Sequence, residues 1–288
     1  MIWQLLLIAY LVFATMSNII RRSLAQTFTK YNLLINGFYF IAVLYPIGLI
    51  VALFCNPNLN IGWENLAIFA VGSGLFPFVN ILAFKSSKHV DAGLFTILSN
   101  ITPIVTIVAA VLLLNESLSI GQLVGAAIII ASTFIVVAPL FKTHFKVNLP
   151  SLYLALISIV LLGLAVVYER WMLTRVDFGA YLVYGWGSSA LWLLIANISE
   201  RKHLKILKDK KTFVPIFSYS LSSALRGICF VGAVKLCGNV SLVSAFASFV
   251  TVLVVVSAYF FLKEKDHLWL KIISVIIGVI GLIVLNCA

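Results

Sequence analysis

The chain consists of long apolar runs separated by short polar connections. A helix needs about 20 apolar residues to cross a hydrocarbon core of about 30 Å, and ten runs approach that length. They cover residues 2–20, 31–54, 63–84, 91–114, 120–141, 151–173, 179–198, 212–234, 240–262 and 268–286. Lipid satisfies no exposed backbone polar group, and the runs are too long and too continuously apolar for barrel strands. The pattern therefore predicts an all-α multi-pass membrane protein with ten transmembrane helices.

The composition also indicates a lipid environment. Hydrophobic residues make up 62% of the chain and charged residues 10%, and the mean hydropathy is +1.14. Soluble domains have about 45–50% apolar and about 25% charged residues. Residues 1–20 lack a basic leading segment and a small-residue cleavage site, so we expect the first helix to be retained rather than removed as a signal.

Basic residues are concentrated on one side of the predicted membrane. The odd-numbered connections, with the adjoining helix ends, hold 16 of the 20 Lys and Arg residues. The other four are Arg170, Arg175, Arg226 and Lys235. Because basic connections stay in the cytoplasm, we predict a protein of the cytoplasmic (inner) membrane with both termini outside. The net charge of +11 fits membrane lipid headgroups as partners, and nothing in the pattern indicates a nucleic acid partner.

A shift of 148 residues brings the two halves of the chain into register. Glu116 then falls opposite Glu264, and Arg22 falls opposite Arg170. We predict a first five-helix repeat at 1–141, a linker at 142–150 and a second five-helix repeat at 151–288. Because five is an odd number, the second half enters the membrane with opposite polarity, which makes the repeat inverted. In such proteins the substrate site lies near the midplane, between the two halves.

Three features of this layout resemble the EamA-like branch of the drug/metabolite transporter superfamily. Each half has a fourth helix containing Pro103 or Thr251, a short turn carrying Glu116 or Glu264, and a last apolar helix with small residues. The resemblance covers essentially the whole chain. It implies two inverted five-helix bundles around a central cavity, and export or exchange of small metabolites such as amino acids, sugars or nucleotide derivatives. In this family basic residues are usual in the second connection, and residues 55–65 contain none, so this chain is expected to be inverted relative to similar proteins.

Polar side chains form a stripe on one face of the predicted fourth helix and another on the ninth. Regular helical spacing aligns Thr96, Ser99, Asn100, Pro103 and Thr106 in the fourth helix. It aligns Ser241, Ser244, Ser248 and Thr251 in the ninth. The stripes either line a cavity or allow close helix packing, since small polar residues do both in membranes. As candidate substrate-binding residues we take Thr96, Asn100, Ser244 and Ser248, with Asn80 of the third helix.

Candidate gating or hinge residues lie nearer the helix ends. Pro77 follows the sequence Gly-Ser-Gly and is a candidate hinge, because proline removes a helical hydrogen bond. Glu169 and Arg170 are candidate gate residues, with a local ion pair at the membrane interface as the alternative. Every Asp and Glu falls in a connection or within about two turns of a span end, so no acidic residue is expected at the midplane. A proton-coupled exporter of cations needs such a residue, so this mechanism is disfavoured.

Arg226 lies about fourteen residues into its predicted span, in the sequence SSALRGICF. An arginine at that depth costs about 2.5–3.5 kcal/mol to insert, so it faces the protein interior or water. One interpretation is a structural anchor bonded to helix-end carbonyls or to a carboxylate such as Glu169. The other is a substrate-binding group, because a guanidinium binds a carboxylate through two parallel hydrogen bonds. On the second interpretation the substrate is an amino acid or another small organic acid.

Other classes of protein have weaker support. The four His residues all lie in connections, and there is no metal-ligand spacing and no glycine-rich phosphate loop, so we predict no enzyme, no metal and no cofactor. The four Cys residues are predicted to form no disulfide. The alternatives to a solute transporter are a lipid flippase and a structural partner subunit of a membrane complex. The expected partners are a small-molecule substrate and membrane lipid, and a homo-oligomer is left open.

Overall fold

The structure is a computed structural model that describes residues 2–27, 40–87, 98–137, 149–198, 210–261 and 268–287. Within these ranges all regular structure is helical and no strand occurs. The helices are α1 Ile2–Thr27, α2 Tyr45–Phe54, α3 Gly62–Gly72, α4 Leu75–Ser87, α5 Ile101–Leu114, α6 Ile120–Val137, α7 Leu149–Arg175, α8 Phe178–Ala180, α9 Trp186–Ala196, α10 Lys210–Cys237, α11 Val240–Ser248, α12 Val250–Phe261 and α13 Leu268–Cys287. Short π-helical segments, Phe40–Leu44 and Tyr181–Gly185, precede α2 and α9.

The described helices have the length and composition of membrane spans. Five segments are long and apolar enough to cross a bilayer: Ile2–Ile20, Gly62–Ala83, Leu149–Arg175, Phe178–Ala196 and Phe213–Cys237. Five shorter apolar helices of 10–17 residues also occur in the described part of the chain. Large apolar side chains on the outside, such as Leu53, Phe54 and Leu112, are more than 70% exposed. Such a surface suits lipid, and the protein is an integral membrane protein.

Within the described residues the helices follow the predicted segments closely and differ mainly at the ends, whereas residues 31–39, 91–97 and 138–141 of the predicted segments lie outside the described part of the chain. The first apolar run ends at residue 20, whereas α1 continues to Thr27. Likewise, α10 begins at Lys210, before the apolar run starts. Hydropathy reports where the hydrocarbon region ends, whereas a helix continues until its backbone hydrogen bonds stop. The predicted linker at 142–150 overlaps the start of α7 at Leu149.

Several apolar segments are interrupted. The third is divided at Ser73 and Gly74, between α3 and α4, and the ninth is divided at Phe249, between α11 and α12. A turn at Asn100 precedes α5. A proline follows two of these interruptions. Pro77 and Pro103 each lie in the first turn of the helix that begins there. The first N–H groups of a helix have no partner within it, so proline loses little there.

Two helix pairs form the longest contacts. One pair is α1 with α10 and the other is α6 with α13; in addition, α7 packs against α4 and α5, and α1 packs against α12. Glycine makes the contact between α6 and α13 very close, since a Cβ on Gly125 would lie 2.5 Å from the Leu285 backbone nitrogen. A Cβ on Gly281 would lie 2.9 Å from the Ile129 nitrogen. Small residues allow membrane helices to approach in this way.

Candidate functional site

Arg226 lies near the middle of α10, in the candidate span Phe213–Cys237, and its side chain is partly buried. The charge of Arg226 acts on the hydroxyl of Tyr10, which lies near the middle of Ile2–Ile20 on α1. The long contact between α1 and α10 brings these residues together. Both residues therefore lie near the middle of candidate membrane spans.

Aromatic rings surround this part of α10. A Cβ on Gly227 would lie 3.2 Å from the Trp186 ring, so the absence of a side chain at residue 227 makes room for that ring beside Arg226. The ring of Phe230 lies one turn further along α10, 5.4 Å from the ring of Tyr10 between centroids. The residues that follow Arg226 on α10 therefore pack against aromatic rings.

The guanidinium of Arg226 has no ion pair or hydrogen bond with any residue in the described ranges. The carboxylate suggested as its structural anchor, Glu169, hydrogen bonds to the hydroxyl of Tyr181 instead. A cation that is partly buried in a candidate span without an anionic partner is costly. The substrate-binding interpretation of Arg226 is still a prediction, and the anchor to Glu169 is absent from the described contacts.

Glu169 corrects one expectation from the sequence. It lies within two turns of the end of α7, as expected, but neighbouring helices enclose it and the residue is only 5% exposed. The protein therefore does contain an acidic side chain buried within a candidate span. Its position in the sequence gives its depth, whereas its enclosure depends on how α7 packs against other helices.

Arg170 has different partners from Glu169, although the two are neighbours in sequence. Its Nη2 donates to the Gly238 carbonyl, and its Nε lies 3.5 Å from Oε1 of Glu116. The predicted local pair between Glu169 and Arg170 is absent from the described contacts. Arg170 joins α7 of the second half to Glu116 of the first.

The Glu116 carboxylate binds the start of α11. Its Oε1 accepts from the Val240 N–H at 2.8 Å. Its Oε2 accepts from the Ser241 N–H at 3.0 Å and from the Ser241 hydroxyl at 2.9 Å. A carboxylate is favoured at this position because a helix N-terminus carries partial positive charge and free N–H groups. We call Glu116, Arg170, Gly238, Val240 and Ser241 the Glu116 cluster.

Further hydrogen bonds join the connections at the same end of the helices. Asn239 Nδ2 donates to the Ser117 carbonyl at 3.1 Å. Lys235 Nζ donates to the carbonyl of Leu173, near the end of α7, at 2.6 Å. Asp177 accepts from the Asn58 N–H at 2.7 Å. Connections from both halves therefore meet at one face of the bundle.

The two polar stripes meet between α5 and α12. The Thr251 hydroxyl lies 3.4 Å from Oδ1 of Asn100, which is 3% exposed. Ser244 is buried on α11, and the Ser248 hydroxyl donates to the Ala245 carbonyl at 2.7 Å, within its own helix. Thr96 lies outside the described residues. The structure thus brings Asn100 close to the ninth segment, and both interpretations of the stripes are still possible.

Two other candidates lie on α4. The Asn80 amide donates to the Phe76 carbonyl at 3.0 Å, within the same helix, and the residue is exposed. Pro77 is buried in the first turn of α4, just after the interruption at Ser73 and Gly74. Substrate binding by Asn80 and a hinge at Pro77 both stay predictions.

The sequence did not identify the Glu116 cluster as a site. It placed Glu116 in a short turn and matched it with Glu264 through the repeat, and it matched Arg170 with Arg22. One sequence signal pointed to these residues: a Glu and an Arg recur at matching positions in both halves. The hydrogen bonds to Val240 and Ser241 connect residues more than 120 positions apart, and helical periodicity carries no information about such contacts.

The fold and these polar groups define a multi-pass helical membrane protein with charged side chains in its interior. The model of the EamA-like transporter family matches residues 1–138. This match confirms the predicted resemblance to the drug/metabolite transporter superfamily over residues 1–138. The family indicates a membrane transporter of small solutes rather than an enzyme.

Solved structures have the same fold. One of them, titled "Crystal structure of protein", matches 98% of this chain and 98% of its own length, with a TM-score of 0.74. Its sequence identity is 14%, so the likeness concerns the fold alone. No curated protein matches the sequence.

Proposed function

We propose that the protein transports a small carboxylate-bearing solute, such as an amino acid or another organic acid, across the cytoplasmic membrane by alternating access. The unpaired Arg226 carries this proposal. A partly buried guanidinium near the middle of a candidate span, without an acidic partner among the described residues, is suited to bind a carboxylate. Export and exchange are the expected modes of transport.

The proposed architecture has ten spans in two inverted repeats, and the helix contacts support it. The shift of 148 residues carries α1 onto α7 and carries α3 and α4 onto α10. The contact of α1 with α10 therefore corresponds to the contact of α7 with α4. In the same way, the contact of α1 with α12 corresponds to the contact of α7 with α5. The contact between α6 and α13 corresponds to itself, because the repeat relates these two helices to each other. Such pairing is expected of two halves related by a two-fold axis in the membrane plane.

The Glu116 cluster supports alternating access. It joins the connection between α5 and α6 to α7 and α11, so it closes one end of the bundle. A solute passing that end requires these bonds to break. A closed end with charged, breakable contacts is expected of one state in an alternating-access cycle.

The buried Glu169 changes the proposed coupling. An exporter without a membrane-embedded carboxylate was expected from the sequence, but Glu169 is enclosed in the bundle. The proposal therefore keeps the carboxylate-bearing substrate and no longer excludes proton coupling. In this proposal both termini lie on the outer side of the cytoplasmic membrane.

The proposal is tested by measuring transport of labelled amino acids and organic acids in proteoliposomes. The solutes are chosen from a metabolite profile of cells that overexpress the protein. Arg226→Ala is expected to fold and to lose most transport. Arg226→Lys keeps the charge but cannot form two parallel hydrogen bonds to a carboxylate, so it is expected to be partly active. Arg175→Ala is the matched control, because Arg175 is exposed and lies over the Trp171 ring. Near wild-type transport by Arg226→Ala contradicts the proposal, and movement of labelled lipid instead of solute favours a flippase.

A further inference from the structure

The interruptions of the fourth and ninth segments correspond to each other in the repeat. The shift of 148 residues places Asn100 opposite Ser248, and Ser248 is followed by the interruption at Phe249. At this interruption the Phe249 N–H bonds to Phe246 three residues back, and the Leu253 N–H then bonds to the Phe249 carbonyl. Interrupted helices in corresponding positions of two inverted halves are a recurrent feature of transporter binding sites.

The two interruptions touch each other. Thr251, in the first turn of α12, lies with its hydroxyl 3.4 Å from the Asn100 amide oxygen. The start of α12 carries partial positive charge. Asn100 therefore lies buried beside the start of a helix.

Asn100 carries an unused hydrogen-bond donor. The residue is 3% exposed, and its Nδ2 has no hydrogen-bond partner within the described ranges. Leaving a buried amide donor unpaired costs about 1–3 kcal/mol, so a ligand oxygen that accepts from Nδ2 gains that free energy on binding.

We propose that Asn100, Thr251 and the start of α12 form a second binding subsite, which takes an acceptor oxygen of the transported solute. This inference rests on the proposed function and extends it. Both α10, which carries Arg226, and α12 pack against α1, so the two subsites lie on helices that share a neighbour. The preferred solute therefore carries a carboxylate for Arg226 and a second carbonyl or carboxylate oxygen for Asn100.

The test compares two probes of similar length that share a carboxylate and an ammonium group. L-glutamine carries a side-chain carbonyl, and L-norleucine carries none. Binding of each radiolabelled probe is measured by equilibrium dialysis with the full-length protein in lipid nanodiscs. We expect wild-type protein to bind L-glutamine about 10-fold or more tightly than L-norleucine, because one buried hydrogen bond separates the probes.

Asn100→Leu, which is similar in volume, is expected to remove this preference while L-norleucine binding stays within about 3-fold of wild type. Thr251→Val, which keeps the shape and removes the hydroxyl, is the second variant should Asn100→Leu fail to fold. Arg226→Ala separates the two proposals, since it is expected to weaken both probes equally. The second subsite would be overturned if wild-type protein bound the two probes equally or bound neither. An unchanged preference in both Asn100→Leu and Thr251→Val would overturn it as well. Each of these results would indicate that an internal water accepts from Asn100 Nδ2 instead of the solute. Unchanged affinities in Arg226→Ala contradict the proposed function alone.

Discussion

The carboxylate of Glu116, in the connection after α5, is bound by both the backbone N–H and the hydroxyl of Ser241, in the first turn of α11. This relationship joins the two halves of the chain. The Glu116 side chain is 7% exposed, so its bonds are shielded from water and are stronger than bonds at the surface.

Glu116→Gln is expected to lower the free energy of unfolding by about 2 kcal/mol, because a neutral amide binds the helix N-terminus and Arg170 less strongly than a carboxylate. Thermal unfolding in detergent, followed by tryptophan fluorescence, measures the change. Glu64→Gln is the control, since Glu64 is exposed in the first turn of α3. Equal effects of the two substitutions would show that the Glu116 cluster contributes no stability.

Ser241→Ala removes one of the three hydrogen bonds to Glu116 and is expected to cost about 1 kcal/mol. In combination with Glu116→Gln, the total loss is expected to be smaller than the sum of the two single effects, because both substitutions weaken one contact. Unfolding of the two single variants and the double variant measures the coupling. Strictly additive effects would indicate that Ser241 stabilises α11 independently of Glu116.

Glu169→Gln is expected to leave the unfolding temperature unchanged or to raise it. The amide still accepts a hydrogen bond from Tyr181, and it avoids burial of a charge that has no basic partner among the described residues. Thermal unfolding measures this as well. A loss of several kcal/mol would instead show that Glu169 is ionised and paired with a cation in the native state.

Gly125→Ala is expected to destabilise the protein by about 1–3 kcal/mol, because its new methyl group would lie 2.5 Å from the backbone nitrogen of Leu285. The yield of monodisperse protein after purification, together with thermal unfolding, measures the loss. Ala127→Val, on the exposed side of the same helix, adds volume away from α13 and serves as the control. Comparable losses in the two variants would argue against close packing at Gly125.

The excess of basic residues in the odd-numbered connections predicts the topology. A reporter that is active only in the cytoplasm should be active when inserted near Lys205, and it should be inactive when fused after Ala288. Activity of both fusions in cells is the measurement, with each fusion's expression level as the control. The opposite pattern would reverse the proposed orientation.

The sequence predicted the described helical segments well, and it also places Arg226 near the middle of a candidate span, because both follow from the order of residues along one helix. A lipid environment selects apolar residues over the whole span, and a single charge stands out against that background. The family resemblance also came from the order of segments and is confirmed over residues 1–138.

The sequence did not predict the contacts between helices. The enclosure of Glu169, the bonds from Glu116 to Ser241 and the unpaired amide of Asn100 each depend on which helix faces which. A polar residue on one helix can face any of several neighbouring helices, and helical periodicity does not indicate which one. The repeat narrowed the choice, since it matched Asn100 with Ser248, but it gave no distance between the two segments.

The glycine contact between α6 and α13 restricts how these two helices can move relative to each other. At Gly125 α6 lies against the backbone of Leu285, and at Gly281 α13 lies against the side chains of Ile128 and Ile129 and the Ile129 nitrogen, so little space is left to absorb a displacement. Sliding α13 by one residue, about 1.5 Å, would move a bulky side chain into the space that Gly281 leaves against Ile129. These two helices are therefore expected to move as one rigid strut, while the rearrangement takes place in the interrupted segments and at the Glu116 cluster.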